Sequence, residues 1–224
     1  MDNSNKTVNK FTAIFWIIVA ADITGIIPGI NLLHFIAKPL LMPVLIAWLI
    51  SSKPISHRML ALTGLFFSWA GDVLLLFEKN GALFFTGGLV CFLLTHICYI
   101  IYFLKTRPIE PSLLKTQPWW IILVPAYGTA LVWLLFPHLA DMKLPVMIYA
   151  VVICSMLLCS LHAFKSTSFP SRYYFVTGAL LFVASDSLLA INKFYQPFAF
   201  AGSLIMLTYC GAQYLIVTGI IKKK

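Results

Sequence analysis

The chain has 224 residues, of which 61% are hydrophobic and 10% charged, whereas a soluble domain is about half apolar and about a quarter charged. Apolar surface on that scale needs lipid as its solvent, which excludes a soluble enzyme, a disordered chain and a disulfide-stapled secreted domain. The net charge of +9 comes from short basic stretches between apolar runs. That pattern is typical of membrane-protein loops and not of a nucleic-acid-binding face.

Eight apolar runs are long enough to cross a hydrocarbon core, which takes roughly 20 helical residues. In chain order they predict transmembrane helices near residues 11–28, 33–51, 58–77, 82–104, 118–136, 144–163, 172–191 and 197–220. The second run is the weakest, because Pro39 and Pro43 lie in its first half. We therefore predict an all-α polytopic membrane protein with eight transmembrane helices in a single transmembrane domain over 1–224.

Lys and Arg are distributed unevenly between the two sides of this predicted bundle. If the N-terminus is cytoplasmic, twelve of the 16 fall on the cytoplasmic side, namely Lys6, Lys10, Lys53, Arg58, Lys105, Arg107, Lys115, Lys165, Arg172 and residues 222–224. The remaining four are Lys38, Lys79, Lys143 and Lys193. Cytoplasmic loops carry an excess of these residues. We therefore predict that both termini are cytoplasmic, in a bacterial inner membrane or a eukaryotic endomembrane.

Part of the first half of the chain recurs in the second half. A shift of 114 residues aligns 58–93 with 172–207 without a gap and gives eleven identities in 36 positions. Five of these pairs are not easily supplied by apolar composition, namely Arg58/Arg172, Gly64/Gly178, Asp72/Asp186, Lys79/Lys193 and Gly88/Gly202. A shift of four helices keeps their direction, which favours two parallel repeats with halves 1–110 and 111–224. Compositional coincidence is the alternative.

Two of the seven carboxylates lie inside apolar runs, Asp72 and Asp186, at equivalent positions of the two repeat units. A charge inside hydrocarbon costs several kcal/mol, so an intramembrane carboxylate indicates a functional site. Small residues at seven-residue spacing accompany each aspartate, Gly64 and Gly71 in one unit and Gly178 and Ser185 in the other. Small residues permit close helix packing, so we expect both carboxylates to face the bundle interior.

A polar stripe accompanies each of these aspartates. Gly88, Phe92, Thr95, His96 and Tyr99 share one face of the fourth helix, and the shifted positions are Gly202, Met206, Tyr209, Cys210 and Gln213. We predict that His96, Tyr99, Tyr209 and Gln213 contact substrate, although simple packing would also explain each of them alone. Near the outer helix ends, we predict that Asn31, His34, Lys38, Asp22 and Asn192 also contact substrate, with Lys38, His34 or Asn31 holding a polar head group. A snorkelling interfacial lysine is the alternative for Lys38.

Five stretches of the chain match the motifs of one known family. They are Lys38-Pro39-Leu40; Gly71-Asp72-Val73-Leu74-Leu75; Phe85, Gly88, Phe92, His96 and Tyr99 at their spacing in the fourth helix; Gly178-Ala179, Phe182, Ser185-Asp186 and Leu189-Ala190; and Thr208-Tyr209, Gln213 and Leu215-Ile216. Together they resemble the YhhN-type family of membrane-bound lysoplasmalogenases, most specifically in the third, fourth, seventh and eighth helices. Cys210 departs from the family pattern, where a tyrosine is expected.

The resemblance implies an integral membrane enzyme that hydrolyses the vinyl ether of lysoplasmalogens to a fatty aldehyde and glycerophosphoethanolamine or glycerophosphocholine. By that analogy Asp72 and Asp186 are catalytic, and the partners are a lysophospholipid and membrane lipids, with no nucleic acid. Two carboxyl groups held close in a low-dielectric site do not both ionise at neutral pH. One can then protonate the outer alkene carbon while the other stabilises the resulting cation. No metal or organic cofactor is required.

The residues themselves leave two other functions open. Parallel repeats with an intramembrane carboxylate pair also fit a small proton-coupled transporter, although no Pro or paired Gly interrupts the helix beside either aspartate. A structural membrane protein could use the same aspartates to hold helices together. Asp72, Asp186 and His96 could also supply three metal ligands. The enzyme is favoured mainly by the family resemblance.

Overall fold

The computed structural model describes residues 3–26, 31–106, 112–166 and 170–223, and in these ranges it is helical and has no strand. The α-helices are α1 Asn3–Gly25, α2 Asn31–Ser51, α3 Arg58–Leu76, α4 Ala82–Thr106, α5 Leu113–Thr116, α6 Trp120–Leu135, α7 Lys143–His162, α8 Ser171–Ala190 and α9 Ala201–Lys222. Short 3₁₀ segments lie in several connections, and α8 continues into a π-helical turn, Ile191–Tyr195. The all-α prediction is confirmed.

Seven helices in the described ranges are long and apolar enough to cross a membrane, so the chain is a multi-pass integral membrane protein. The predicted number of eight is not confirmed, because α1 is not among the seven. The predicted end of the first span at residue 28 and the predicted boundary between repeat halves at 110 and 111 lie outside the described residues.

Helix α2 continues through Pro39 and Pro43, the two residues that weakened its prediction. Pro43 has no N–H to donate to the carbonyl of Pro39, four residues earlier. The indole Nε1–H of Trp69, in α3, donates to that carbonyl oxygen at 3.1 Å. Proline is tolerated inside membrane helices where a neighbouring helix satisfies the freed backbone group. Trp69 therefore supplies the donor that α2 lacks and links α3 to α2.

The chain divides into two compact units, residues 1–95 and 96–224. In the first unit α1 packs on α2 and α2 packs on α3. In the second unit α6, α7, α8 and α9 pack in chain order, each against the next, and the α8–α9 pair is the most extensive.

Small residues allow close helix approach, as the sequence predicted. A Cβ on Gly71, in α3, would lie 2.9 Å from the ring of Phe92, in α4. A Cβ on Gly178, in α8, would lie 2.8 Å from Ile216 and 3.0 Å from the carbonyl oxygen of Ala212, both in α9. Because these distances leave no room for a side chain, the glycines set the spacing of the two helix pairs.

Candidate active site

The second unit holds a three-residue polar cluster built from three helices. Asp186 lies in α8, four residues before that helix ends at Ala190. The hydroxyl of Tyr149, in α7, donates to Asp186 Oδ2 at 2.5 Å. Nε2 of His96, in α4, lies 3.0 Å from the same oxygen and 2.9 Å from the Tyr149 hydroxyl. The three side chains thus form a closed triangle inside the protein.

The geometry of the triangle limits the hydrogen-bond roles of its members. The His96 side chain has no exposed surface, and that of Asp186 is 13% exposed. If Asp186 is ionised, His96 must carry its proton on Nε2, because a lone pair there would face the carboxylate. The Nδ1 atom of His96 has no hydrogen-bond partner among the described residues. Asp186 Oδ2 then accepts two charge-assisted hydrogen bonds, which are stronger than neutral ones.

An aromatic side chain holds the triangle in place. The ring of Phe182, one turn before Asp186, packs edge-on against His96 with the ring centroids 4.6 Å apart. It makes similar contacts with Tyr209 at 5.6 Å and Tyr99 at 6.5 Å. The Tyr99 hydroxyl in turn donates to Gln213 Oε1 at 2.5 Å. The structure therefore brings the four predicted stripe residues together, although their contact with substrate stays a prediction.

A small cavity of about 50 Å³ adjoins the triangle. Asp186 and Tyr149 line it together with Tyr127 and Ser187, which bond to each other at 2.8 Å, and the rest of its wall is apolar. No residue in the described ranges donates to Asp186 Oδ1, which leaves this oxygen for a ligand. The cavity has a mostly apolar wall and one carboxyl oxygen available for chemistry. Among the described residues no three His, Cys, Asp or Glu side chains gather as a metal site would require.

Sequence reasoning missed Tyr149. It lies in the middle of an apolar helix, and the repeat shift pairs it with Phe35, so the comparison of halves gave no signal. A hydroxyl inside an apolar run was the available signal, because a buried tyrosine hydroxyl usually finds a partner.

The first unit holds the other predicted catalytic residue, Asp72. Its exposed fraction is 1%, and it lies four residues before α3 ends at Leu76, the same position that Asp186 has in α8. One turn earlier, Ser68 contacts the hydroxyl of Thr95 at 3.0 Å. Asp72 and Asp186 belong to different compact units, and their pairing stays a prediction.

Two of the residues predicted to contact substrate, Asp22 and His34, contact each other in the first unit. Asp22 Oδ1, near the end of α1, lies 2.8 Å from Nδ1 of His34, in α2, and Asp22 is completely buried. Asn31, His34 and Lys38 follow at spacings of three and four residues and so share one face of α2. Lys38 is 8% exposed.

In the second unit, Oδ1 of Asn192 accepts a hydrogen bond from the backbone N–H of Phe198 at 3.4 Å, a contact within the connection to α9. The substrate roles of Asn192 and of the residues in the first unit stay predictions.

The YhhN family matches residues 33–220, and the chain belongs to this family. It is 33% identical over 195 residues to the Homo sapiens protein named Lysoplasmalogenase TMEM86B, covering 85% of this chain and 77% of that protein. It is 30% identical to Lysoplasmalogenase TMEM86A of Bos taurus, covering 72% and 65%. The Mycobacterium tuberculosis Lysoplasmalogenase is 32% identical, covering 60% of this chain and 50% of that one. No solved structure matches the chain.

Proposed function

We propose that this protein hydrolyses the vinyl ether bond of lysoplasmalogens within the membrane, releasing a fatty aldehyde and glycerophosphoethanolamine or glycerophosphocholine. Its membership of the YhhN family, with relatives named lysoplasmalogenase in mammals and mycobacteria, makes it an enzyme of that class. The observation that carries the proposal is the Asp186 carboxyl, held by Tyr149 and His96 at a small apolar-walled cavity.

The first step is general acid catalysis by Asp186. In its protonated form the carboxyl delivers the proton from Oδ1 to the outer alkene carbon of the vinyl ether. The alkene electron pair forms the new C–H bond, and the ether oxygen stabilises the cation left on its neighbouring carbon. The Asp186 anion formed at the same moment keeps its hydrogen bonds from Tyr149 and His96. These donors are already in place, so they stabilise the developing charge without reorganisation.

The second step is hydration of the cation. A water molecule adds to the positive carbon and gives up a proton to a carboxylate, which restores the acid. The resulting hemiacetal then passes its hydroxyl proton to the glycerol oxygen as that C–O bond breaks, which yields the aldehyde and the alcohol. The overall reaction consumes one water and no other reagent.

Asp72 is the second carboxyl group in this proposal. Its support is its burial, its helix position, which matches that of Asp186, and the repeat alignment that pairs the two residues. Two carboxyl groups acting on an oxocarbenium-like cation share the work as acid and stabiliser, as in glycoside hydrolysis. We assign these roles to the pair as a unit. We assign the head group to Lys38, His34 or Asn31, which share one face of α2.

The test measures aldehyde release from a purified lysoplasmalogen by the wild type, Asp72→Asn, Asp186→Asn and the double variant. Each single variant should lose roughly 10²–10⁴-fold in kcat, the range for a lost general acid. The double variant should be little worse, because residues that act as a unit are not additive. All should fold, because Asn is nearly isosteric with Asp and costs less to bury than a charge.

The matched control is Asp141→Asn, the same change at an exposed aspartate, which should leave the rate unchanged. Substantial aldehyde release by either folded single variant would contradict the aspartate pair. A melting temperature measured on the same samples separates lost chemistry from lost folding.

A further inference from the structure

A groove of about 310 Å³ runs between α6 and α7 in the second unit. On α6 it is lined at helical spacing by Pro125, Gly128 and Val132, and on α7 by a matching row of residues that ends at Leu158. Small side chains on both helices leave the space open. Its volume lies at the lower end of the range of small-molecule sites, roughly 300–1,000 Å³, and its lining is mostly apolar, as in such sites.

The groove adjoins the cavity beside Asp186. Four residues, Gly128, Val132, Ala150 and Cys154, line both spaces and form the neck where these spaces meet. A Cβ on Gly128 would lie 2.7 Å from Cys154 Sγ, so a larger residue at position 128 would displace this neck. A ligand in the groove therefore lies next to the space that borders Asp186.

The outer wall of the groove faces the lateral surface of the unit. Val151 is 67% exposed and Met147 is 44% exposed, whereas Cys154 at the neck is 8% exposed. Helix α6 belongs to the span with the smallest buried share, 17%. In a membrane-spanning protein such a surface meets lipid, so the groove is open to the hydrocarbon of the bilayer.

The length of the groove fits a single lipid chain. Its lining on α7 extends from Met147 to Leu158, which at 1.5 Å per residue is about 16 Å. Half of a hydrocarbon core about 30 Å thick is the depth of one leaflet, and so the reach of one lipid tail. Tyr149 lies near the Met147 end, which places the triangle at one end of this path and leaves the rest for an aliphatic chain.

We propose that the α6–α7 groove binds the hydrocarbon chain of a single-chain ether lipid that enters sideways from the bilayer. The proposal rests on the proposed function for the position of the reacting bond, which would lie in the cavity beside Asp186. A chain moving from lipid into an apolar groove gains little hydrophobic energy, because both environments are apolar. The groove therefore acts by orienting the vinyl ether, and misplacement by about 1 Å can cost on the order of 10²-fold in rate.

The first experiment compares Ser155→Leu, which narrows the groove at a residue that does not line the cavity, with Ala130→Leu, a leucine introduced at an exposed position of α6 outside both spaces. Aldehyde release from a long-chain lysoplasmalogen should fall by about tenfold or more in Ser155→Leu. Release from a short-chain vinyl ether should change little, and Ala130→Leu should behave as wild type. Equal losses on both substrates in folded Ser155→Leu would overturn the proposal.

The second experiment does not depend on catalysis. A non-cleavable single-chain ether lipid with a diazirine in its chain is irradiated with wild-type protein in vesicles, and the labelled residues are identified by mass spectrometry. Labelling of Met147, Val151 or Leu158 supports the groove even if the wild type releases no aldehyde, a result that would contradict the proposed function alone. Labelling confined to other helices overturns the groove, even when aldehyde is released normally.

Discussion

One oxygen of Asp186, Oδ2, lies within hydrogen-bond distance of side chains from two other helices, Tyr149 in α7 and His96 in α4. This arrangement fixes the carboxyl group so that the other oxygen, Oδ1, remains for a ligand. Among the described residues, the side chains that bond to Asp186 are a tyrosine hydroxyl and an imidazole, and neither is a permanent cation. Such a carboxyl can be either an acid or an anion during one catalytic cycle.

Removal of the Tyr149 hydroxyl tests this arrangement. Hydrogen bonds to charged groups contribute about 1.5–3 kcal/mol, so Tyr149→Phe should lower kcat by about 10- to 100-fold. The effect on KM should be small, because the hydroxyl bonds to Asp186, the acid of the proposed mechanism. Steady-state aldehyde release by detergent-purified protein measures both constants.

Tyr127→Phe is the matched control for this change. Tyr127 lines the same cavity but donates to Ser187, so its variant should keep kcat within about threefold of wild type, the scale of one ordinary hydrogen bond. If both variants lose activity equally, the cavity is sensitive to any lost hydroxyl, and the particular role of Tyr149 is refuted.

At the scale of elements, the helix positions were predicted well from the length of the apolar runs and from the charges between them. The thickness of the hydrocarbon core sets the length of a span, and charged residues are costly inside it. Observed α3, α7 and α8 begin and end within one residue of their predicted bounds. The π-helical turn at Ile191–Tyr195 was not predicted, because hydropathy does not register a change of hydrogen-bond pattern. Pro39 and Pro43 weakened the prediction of α2 for the same reason. The proline content of a segment does not show that a side chain of another helix donates to the carbonyl that the proline leaves unpaired.

The contribution of the hydrogen bond from Trp69 to the Pro39 carbonyl can be measured with a double-mutant cycle. Trp69→Phe keeps an aromatic ring but removes the donor to the part-buried Pro39 carbonyl, and an acceptor shielded from water and left without its partner costs about 1–3 kcal/mol. Pro43→Ala returns a backbone N–H that can donate to the same carbonyl. Trp69→Phe should therefore lower the melting temperature clearly in the wild-type background and much less in the Pro43→Ala background.

Trp120→Phe is the control for the loss of an indole donor, since its 3.4 Å contact with Gln117 is exposed. It should leave the melting temperature almost unchanged. Identical losses from Trp69→Phe in both backgrounds would show that packing of the ring, and not the bond to Pro39, stabilises the helix pair.

At the scale of the whole molecule, the charge asymmetry predicts that both termini are cytoplasmic. Single cysteines at Asn80 and Lys222, in a background without the five native cysteines, report the side of each position. A membrane-impermeant thiol reagent should label Asn80→Cys from outside and Lys222→Cys only after the membrane is opened. Labelling of both from the same side would require an even number of spans between residues 80 and 222, where the described ranges have five apolar helices, and would also contradict the parallel repeat.

The candidate site was only partly predictable for a reason that also lies at this scale. Asp186, His96, Tyr99, Tyr209 and Gln213 were identified because polar residues in apolar runs are conspicuous in a sequence. Their hydrogen-bond partners could not be predicted from the sequence. Tyr99 and Gln213 bond to each other, whereas His96 bonds to Asp186 and Tyr149. Spacing along a helix gives the face on which a side chain lies, but contacts between helices distant in the chain depend on packing.

The backbone hydrogen bond that Pro43 removes from α2 also has a consequence for biosynthesis. A helix inserted alone would expose the Pro39 carbonyl to hydrocarbon, where an unsatisfied backbone group costs several kcal/mol. Trp69 lies 30 residues further along the chain, so its indole reaches the membrane only when α3 has been synthesised. We therefore expect α2 and α3 to leave the translocon as a hairpin, and a chain truncated before Trp69 to be held there or degraded.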